Sequence, residues 1–294
     1  MTSRIQTLEK ADVARPPKWL SANMHYEVEM GSVAYGVAGQ SSDVDVYGFC
    51  IPPKELIFPH LSGEVPGFGR QLKRFEQYQE HHLVHNAKEY DFSIYSIVKF
   101  FQLAMENNPN MVDALFVPHR CVLFCSPVGQ RVRDARRLFL HKGSYHKLRG
   151  YAYAQLHKIG SKANASNTKR QASIDAYGYD VKFAYHVVRL VLQAQQILEE
   201  HDLDLERNRE LLKAIRRGEW TEQRLRDWFS QKESELEELY NRSTLRHSPD
   251  EEALKTLLLD CMEEHYGSLE TAVKRVGKLE RLVQDLEHTI ARYK

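Results

Sequence analysis

The chain has 294 residues, enough for one large domain or two ordinary ones, because domains usually contain about 100–200 residues. Its hydrophobic content of 42% and charged content of 28% are typical of a chain that folds around its own core. The formal net charge of +1 excludes a strongly polycationic protein, so any site for a polyanion must be local. The sequence contains no apolar stretch of about 18 residues and no apolar N-terminal signal segment, so we expect a cytoplasmic protein without a membrane partner.

The first half of the chain mixes strand and helix signals. Several segments rich in β-branched and aromatic residues alternate with turn signals, including Pro52-Pro53 and residues 62–69 and 107–110. From about Phe139 onward, long helical patterns replace them. We therefore predict an α+β fold in which residues 1–138 form a small mixed β-sheet with flanking helices and residues 139–294 form an all-helical domain.

Two segments of the second half have more than one interpretation. Residues 161–178 are polar and rich in small side chains, which predicts a mobile loop that is either a simple connector or a flap beside the substrate. Over residues 273–290, apolar side chains recur at spacings close to 3.5. This pattern fits a coiled-coil seam that joins copies of the chain, but it favours one amphipathic helix because fewer than about four heptads are present.

The most informative segment runs from residue 26 to residue 53. An apolar-alternating run ends at Gly31 and Ser32, a glycine-containing loop follows, and Asp43 and Asp45 open the next strand two residues apart. Because side chains alternate along a strand, both acids point to one face. Adjacent carboxylates repel unless a cation compensates, and Mg²⁺ commonly binds one or two carboxylates together with phosphate oxygens. An exposed strand end would give a similar pair of acids, but the nearby Gly-Ser turn, which suits phosphate, favours a catalytic site.

The Gly-Ser pair followed by Asp-x-Asp resembles the signature of the DNA polymerase beta-like nucleotidyltransferase superfamily. The runs GSVAYG, SSDVDVYGF, FSIYSIVKFFQLAMENNPN and GYDVKFAYHVVRL are similar to a branch of predicted nucleotidyltransferases of phages and bacteria that includes a group associated with RNA ligases. This similarity covers residues 19–192, and it adds Ser42 to Gly31 and Ser32 as a nucleotide-binding candidate.

The resemblance implies a reaction as well as a fold. Asp43, Asp45 and a third acid would hold two Mg²⁺ or Mn²⁺ ions on a small mixed sheet. A nucleoside triphosphate would lose pyrophosphate while its nucleoside monophosphate passes to an acceptor hydroxyl.

The third acid is either Asp91 or Glu89. The two are two residues apart in HNAKEYDFSIYSIVKF, so both share a face if this stretch is extended. Asp91 is the preferred metal ligand because its place before the next helix resembles that of the third carboxylate of the family. Its alternative role is that of a helix N-cap.

A basic helical face is the second candidate constellation. Lys182, His186 and Arg189 follow at i, i+4 and i+7, which places them on one side of a helix where they would bind the triphosphate. A solvated basic edge is the alternative. On an earlier helix, Lys158 lies on one side with Gln155, which fits contact with the nucleotide or the acceptor and equally fits an ordinary helix surface.

Three histidines, His81, His82 and His85, do not favour a metal site by themselves. The sequence shows no acid at a fixed ligand spacing from them, so we expect surface or stacking histidines.

The sequence leaves the acceptor open. An RNA, such as a tRNA or an RNA 3′ end, is the leading acceptor by association, and a protein side chain or a small molecule is the alternative, as in toxin, defence or resistance enzymes. A non-catalytic nucleotide-binding or RNA-binding protein is the competing function. The base of the nucleotide is not encoded in the motif, because base selection depends on the shape of the pocket.

Overall fold

The computed structural model describes residues 2–39, 43–67, 73–159, 168–267 and 286 of the chain. Five strands and eleven α-helices lie in these ranges. The strands are β1 (Met24–Glu29), β2 (Val44–Cys50), β3 (Gln77–His85), β4 (Lys88–Ser96) and β5 (Val122–Cys125). The helices are α1 (Arg4–Lys10), α2 (Lys54–Ile57), α3 (Ile97–Met105), α4 (Pro109–Phe116), α5 (Pro127–Asp134), α6 (Gly143–Ile159), α7 (Thr168–Tyr177), α8 (Val181–Glu200), α9 (Arg209–Arg216), α10 (Glu222–Arg242) and α11 (Glu251–Tyr266).

The strands form one mixed sheet in the order β3-β4-β2-β1-β5. The central pair β2 and β4 is parallel, whereas the pairs β3/β4, β1/β2 and β1/β5 are antiparallel. Asn86 and Ala87 join β3 to β4, and both have positive φ angles, 49° and 58°, as two-residue hairpin turns that match the strand twist require. The predicted α+β fold with a mixed sheet is confirmed.

Side chains along β2 point alternately to the two faces of the sheet, and the two faces belong to different core clusters. Val44 and Val46 belong to a smaller core cluster with Ile5 and Leu8 of α1. Phe49 belongs to the larger cluster, which the other helices build. Ile5 and Leu8 are fully buried, and burial of each such side chain contributes about 1.5–3 kcal/mol. The sheet therefore has α1 on one face and the main helical layer on the other.

A buried carboxylate attaches α1 to the sheet. Glu27 of β1 is fully buried, and its Oε1 accepts hydrogen bonds from Ser3 Oγ at 2.9 Å and from the backbone N–H of Ile5 at 3.1 Å. Its Oε2 accepts a bond from the N–H of Arg4 at 2.6 Å. The first N–H groups of a helix have no partner within the helix, so this carboxylate satisfies them and complements the helix dipole.

The main core continues across the predicted domain boundary at residue 138. One hydrophobic cluster contains Phe100 of α3, Val188 of α8 and Leu225 of α10. The division into a domain of residues 1–138 and a domain of residues 139–294 stays a prediction. The catalytic candidates thus lie on a sheet that packs directly against the helical layer.

Two segments differ from or fall outside the sequence prediction. The predicted loop 161–178 contains helix α7, whose side chains at residues 171–177 are exposed or half-buried; residues 160–167 lie outside the described ranges. The predicted amphipathic helix at residues 273–290 also lies outside them, apart from Leu286. Within the described ranges, none of the helices is long and apolar enough to cross a membrane.

A buried ionic network joins three parts of the fold. Asp113 of α4 accepts hydrogen bonds on Oδ2 from Arg189 Nη1 at 2.7 Å and from the Tyr35 hydroxyl at 2.5 Å. Its Oδ1 accepts a bond from Gln193 Nε2 at 2.8 Å. The guanidinium of Arg189 also lies 4.4 Å from the centre of the Tyr35 ring. The network holds the loop after β1 against α4 and α8.

A pair of histidines joins the sheet to α11. Nε2 of His25 lies 2.9 Å from Nδ1 of His265, and Nδ1 of His25 lies 2.7 Å from the hydroxyl of Ser126. Burial, and then the charge of His265, lower the pKa of His25 to about 4. Burial, followed by the charge of Lys54, also lowers the pKa of His265. The contact therefore requires neutral imidazoles.

We expect Asp113→Ala to lower the free energy of unfolding by about 3–5 kcal/mol, because it leaves the buried charge of Arg189 uncompensated. Urea titration measures this change. Asp227→Ala removes an exposed carboxylate of α10 and is the matched control, with an expected change within about 0.5 kcal/mol. Equal stability of the two variants would contradict the structural role of the network.

We expect protonation of His25 to destabilise the fold in mild acid. Because the folded-state pKa is about 4 and the unfolded value is about 6.5, the unfolded chain binds the proton first, and stability falls as the pH drops below 6.5. The loss is up to about 1.4 kcal/mol per pH unit. In urea titrations between pH 6.5 and 5, His25→Gln should show a shallower pH dependence than the wild type. His157→Gln, on the exposed side of α6, is the control, and identical slopes for both variants would argue against this contact.

Candidate active site

Asp45 and Asp91 lie side by side on the central parallel strands. The two residues are register partners of β2 and β4, and Asp43 lies just before β2 with an exposed side chain. Burial, and then the charges of Asp91 and Asp43, raise the pKa of Asp45, while the ammonium of Lys182 lowers it. The three acids predicted from the sequence therefore share one electrostatic environment, in which a cation would relieve their repulsion.

Gly31 lies directly against the carboxylate of Asp45. A Cβ atom added at residue 31 would stand 2.3 Å from Oδ2 of Asp45, and the backbone of Gly31 has a φ angle of 69°. The neighbouring N–H of Met30 donates a hydrogen bond to the carbonyl of Asp45 at 2.7 Å. The glycine predicted as part of a phosphate turn thus also leaves room for the carboxylate of Asp45, and any side chain at residue 31 would displace that carboxylate.

Two arginines, one on α9 and one just before β5, hold the loop that contains Gly31 and Ser32. Arg216 of α9 donates to the carbonyl of Val37 at 2.7 Å, and Arg120 donates to the carbonyl of Val33 at 3.0 Å. Within the loop, the carbonyl of Ser32 accepts the N–H of Val37 at 2.9 Å. The loop is therefore a fixed turn beside the acids. Ser42, the other predicted nucleotide-binding residue of this region, lies outside the described residues.

The predicted basic side chains come together around His186. Burial, followed by the charges of Arg189, Lys182, Arg216 and Lys158, lowers the pKa of His186 to about 3. The imidazole is therefore neutral at physiological pH. Lys182 and Lys158 have exposed side chains. Since Lys182 also acts on Asp45, the basic cluster borders the acidic one.

Arg189 has a different environment from the one predicted. Its side chain is 9% exposed and forms the buried ion pair with Asp113, so its charge is already compensated. Along this face of α8, Lys182 is exposed and His186 is half-buried, whereas Arg189 is buried in the core. We therefore revise Arg189 from a phosphate ligand to a residue that positions the loop through Tyr35.

A bulge in β3 brings histidines to the acids. The register with β4 shifts between Glu80 and Leu83, and His82 has a φ angle of 59°. Its N–H donates to Oδ1 of Asp91 at 2.8 Å, and its Nδ1 contacts Glu89. The ligand atoms of His82, Glu89 and Asp91 lie within 4.8 Å of one another. His81 and His82 are exposed, as predicted, but acids of β4 lie beside them, which periodicity cannot show because it reveals neither the bulge nor the strand pairing.

The two roles considered for Asp91 can be separated. Helix α3 begins at Ile97, and its N-cap is Ser96, whose Oγ accepts the N–H of Lys99 at 3.1 Å. Asp91 therefore does not cap this helix. Its register partner is Asp45, whereas Glu89 lies one pleat further away and contacts His82.

The residues present fit a divalent cation. Asp43, Asp45 and Asp91 supply hard oxygen donors, and a cation would favour the ionised form of Asp45, whose pKa is raised by burial and by the neighbouring carboxylates. Glu29, which the sequence analysis did not single out, adds a further negative charge near Asp45. The sequence could have pointed to Glu29, because it is an acid in the alternating strand run just before Gly31.

Comparison with known proteins gives one family match. A family model described as RNA repair pathway DNA polymerase beta family matches residues 4–260. No curated protein gives a significant match. Among solved structures, the chain is similar to a nucleotidyltransferase-like protein from Exiguobacterium sibiricum, with 11% sequence identity, coverage of 79% of this chain and 73% of that chain, and a TM-score of 0.28. The family match confirms the resemblance predicted from the sequence and extends it beyond residues 19–192.

We expect Gly31→Ala to weaken the binding of Mn²⁺ at least about tenfold, since the new methyl group must displace the carboxylate of Asp45 and the left-handed backbone costs about 1–2 kcal/mol. Isothermal titration calorimetry measures the affinity. Gly150→Ala is the matched control, because a Cβ atom there meets nothing within 4 Å. Unchanged Mn²⁺ affinity in a folded Gly31→Ala protein would refute this role for the glycine.

Proposed function

This chain belongs to the RNA repair pathway DNA polymerase beta family, and we propose that it transfers a nucleoside monophosphate from a nucleoside triphosphate to an acceptor hydroxyl, with release of pyrophosphate. The observation that carries the proposal is the register pairing of Asp45 with Asp91, with Gly31 against the Asp45 carboxylate and Lys182 nearby. The carboxylates of Asp45 and Asp91, which a cation would stabilise, thus lie beside the Gly31 turn and the Lys182 side of α8, and both of these suit phosphate groups.

In our proposal, Asp43, Asp45 and Asp91 hold two Mg²⁺ or Mn²⁺ ions, with Asp91 preferred to Glu89 as the third ligand. When bound, the ions neutralise charge on the transferring phosphate and lower the pKa of the acceptor hydroxyl. The crowding of Asp45 by two neighbouring carboxylates supports this assignment.

The nucleotide is proposed to lie between the turn and the basic face. Backbone N–H groups and the hydroxyl at Gly31 and Ser32, together with Ser42, bind phosphate oxygens. Lys182 and Lys158 supply positive charge. His186 contributes as a neutral hydrogen-bonding group, because burial keeps its pKa at about 3.

The acceptor hydroxyl is proposed to approach Asp91. This carboxylate is partly exposed, with 28% side-chain exposure, so it can meet a substrate from solvent and accept the proton of the hydroxyl. The family description supports an RNA acceptor, and we propose a tRNA or another RNA 3′ end. A labelled protein or small molecule in the assay below would replace RNA as the acceptor.

We expect Asp45→Asn and Asp91→Asn each to lower nucleotide transfer at least about 10³-fold, because each loses a charge that holds the cations. The assay incubates the protein with each labelled triphosphate, Mg²⁺ or Mn²⁺, and total RNA or lysate. It follows label incorporation and pyrophosphate release.

Asp227→Asn, an exposed change on α10, is the matched control and should retain full activity. Chelation of the metal should abolish transfer, and added Mg²⁺ or Mn²⁺ should restore it. Persistent transfer in folded Asp45→Asn or Asp91→Asn protein would exclude this mechanism.

A further inference from the structure

We propose that the exposed face of β3 and a pocket at its start bind a single-stranded stretch of the polynucleotide acceptor, upstream of the reacting end. This inference rests on the proposed function, because it takes Asp91 as the point where the acceptor hydroxyl reacts. It assigns a binding site at the sheet edge and not at the acids. Three features of the chain carry it.

The first feature is a pocket with aromatic and basic walls. The Trp19 pocket has a volume of about 420 Å³ and is lined by Trp19, Lys73, Arg74, Phe75 and Gln77, among others. Trp19 and Phe75 meet edge to face, with ring centres 4.8 Å apart. Lys73 and Arg74 have exposed side chains, so their charges are accessible. Aromatic rings that accept a stacked base, together with cations that accept phosphate, are the elements of single-strand binding sites.

The second feature is a polar strip that connects this pocket to the acids. Gln77, Gln79 and His81 alternate along β3, so they share a face, and all three are exposed. Gln77 borders the Trp19 pocket, and Nδ1 of His81 lies 3.5 Å from Oδ1 of Asp91. Trp19 and Phe75 pack against the core cluster on the α1 face, whereas the strip lies on the face of Asp91. A bound strand would therefore pass from the pocket to the strip around the exposed edge of β3 at Gln77, and the strip ends at a candidate catalytic carboxylate.

The third feature is the length of this path. Gln77 pairs with Tyr95 of β4, which is four residues from Asp91 along the same strand. At about 3.3 Å per residue, the separation is about 13 Å. Stacked nucleotides advance about 3.4 Å each, so the strip accommodates about four of them. β3 is an edge strand of the sheet, so a ligand can approach it from the side.

The charge distribution favours a polynucleotide in this path. The net charge of the chain is +1, so an anionic strand requires a local basic site, and Lys73 and Arg74 provide one at the far end. Glu76 also lines the pocket, but its carboxylate lies 3.8 Å from Nζ of Lys99, which partly balances its charge. Amide side chains such as Gln77 and Gln79 both donate and accept hydrogen bonds, as bases and ribose hydroxyls require.

The test is the binding of a fluorescent eight-nucleotide RNA to the full chain, measured by anisotropy without any triphosphate. We expect the double variant Lys73→Ala/Arg74→Ala to raise the Kd roughly tenfold, and to reduce the slope of log affinity against log salt by about 1.4, because two phosphate contacts are lost. A DNA oligonucleotide of the same sequence forms a second arm. Loss on RNA alone indicates recognition of the ribose, and loss on both indicates recognition of phosphates and bases; either result supports the site.

Arg226→Ala/Lys255→Ala removes two exposed cations from α10 and α11 and should leave the Kd unchanged. Thermal melting confirms that each variant is folded. Wild-type affinity in folded Lys73→Ala/Arg74→Ala protein overturns the inference, as does the absence of oligonucleotide binding by the wild type. Normal binding without nucleotide transfer would instead refute the proposed reaction and leave this site in place.

Discussion

The buried ion pair between Arg189 and Asp113 is the interaction on which the arrangement of the site depends. It lies where α4, α8 and the loop after β1 meet, and Tyr35 brings the loop into it. A guanidinium cannot lose its proton inside a protein, so its charge requires the carboxylate as a permanent partner. The geometry of the pair thereby specifies how the helical layer sits on the sheet. The hydrogen bond from Tyr35 to Asp113 thereby also positions the turn at Gly31, which lies in the same loop.

The acids depend on the sheet in a different way. Asp45 and Asp91 meet because β2 and β4 are parallel neighbours, and residues in register stand next to each other on adjacent strands. Two such carboxylates repel at close range, and the fold tolerates them through the nearby ammonium of Lys182 and through partial exposure. A site that is unfavourable by itself and favourable with cations is a common property of metal-dependent catalytic centres.

The sequence was informative where the signal is local. Alternation along one strand was enough to pair Asp43 with Asp45, and the change from short mixed elements to long helical patterns was enough to predict the fold class. The pairing of Asp45 with Asp91 involves strands separated by more than thirty residues, and spacing alone does not specify it. The resemblance to a family supplied that link.

Other features could not be predicted, for identifiable reasons. Helical periodicity put Arg189 on the same face as Lys182, but it does not show where that face passes from solvent into the core. The position of His82 depends on a one-residue β-bulge in β3, and the hydrophobic pattern of the sequence does not reveal such a bulge. The neutrality of His186 results from burial among cations contributed by three helices.

The position of β3 at the edge of the sheet has an evolutionary consequence. The strand hydrogen-bonds to β4, and the exposed side chains of Gln77 and Gln79 lie outside both core clusters. Substitutions at these positions cost little stability, because surface changes usually alter it by less than about 0.5 kcal/mol. Natural selection can therefore diversify this strand among relatives while the carboxylates of β2 and β4 stay constant. The family can acquire new substrates without rebuilding its reacting centre.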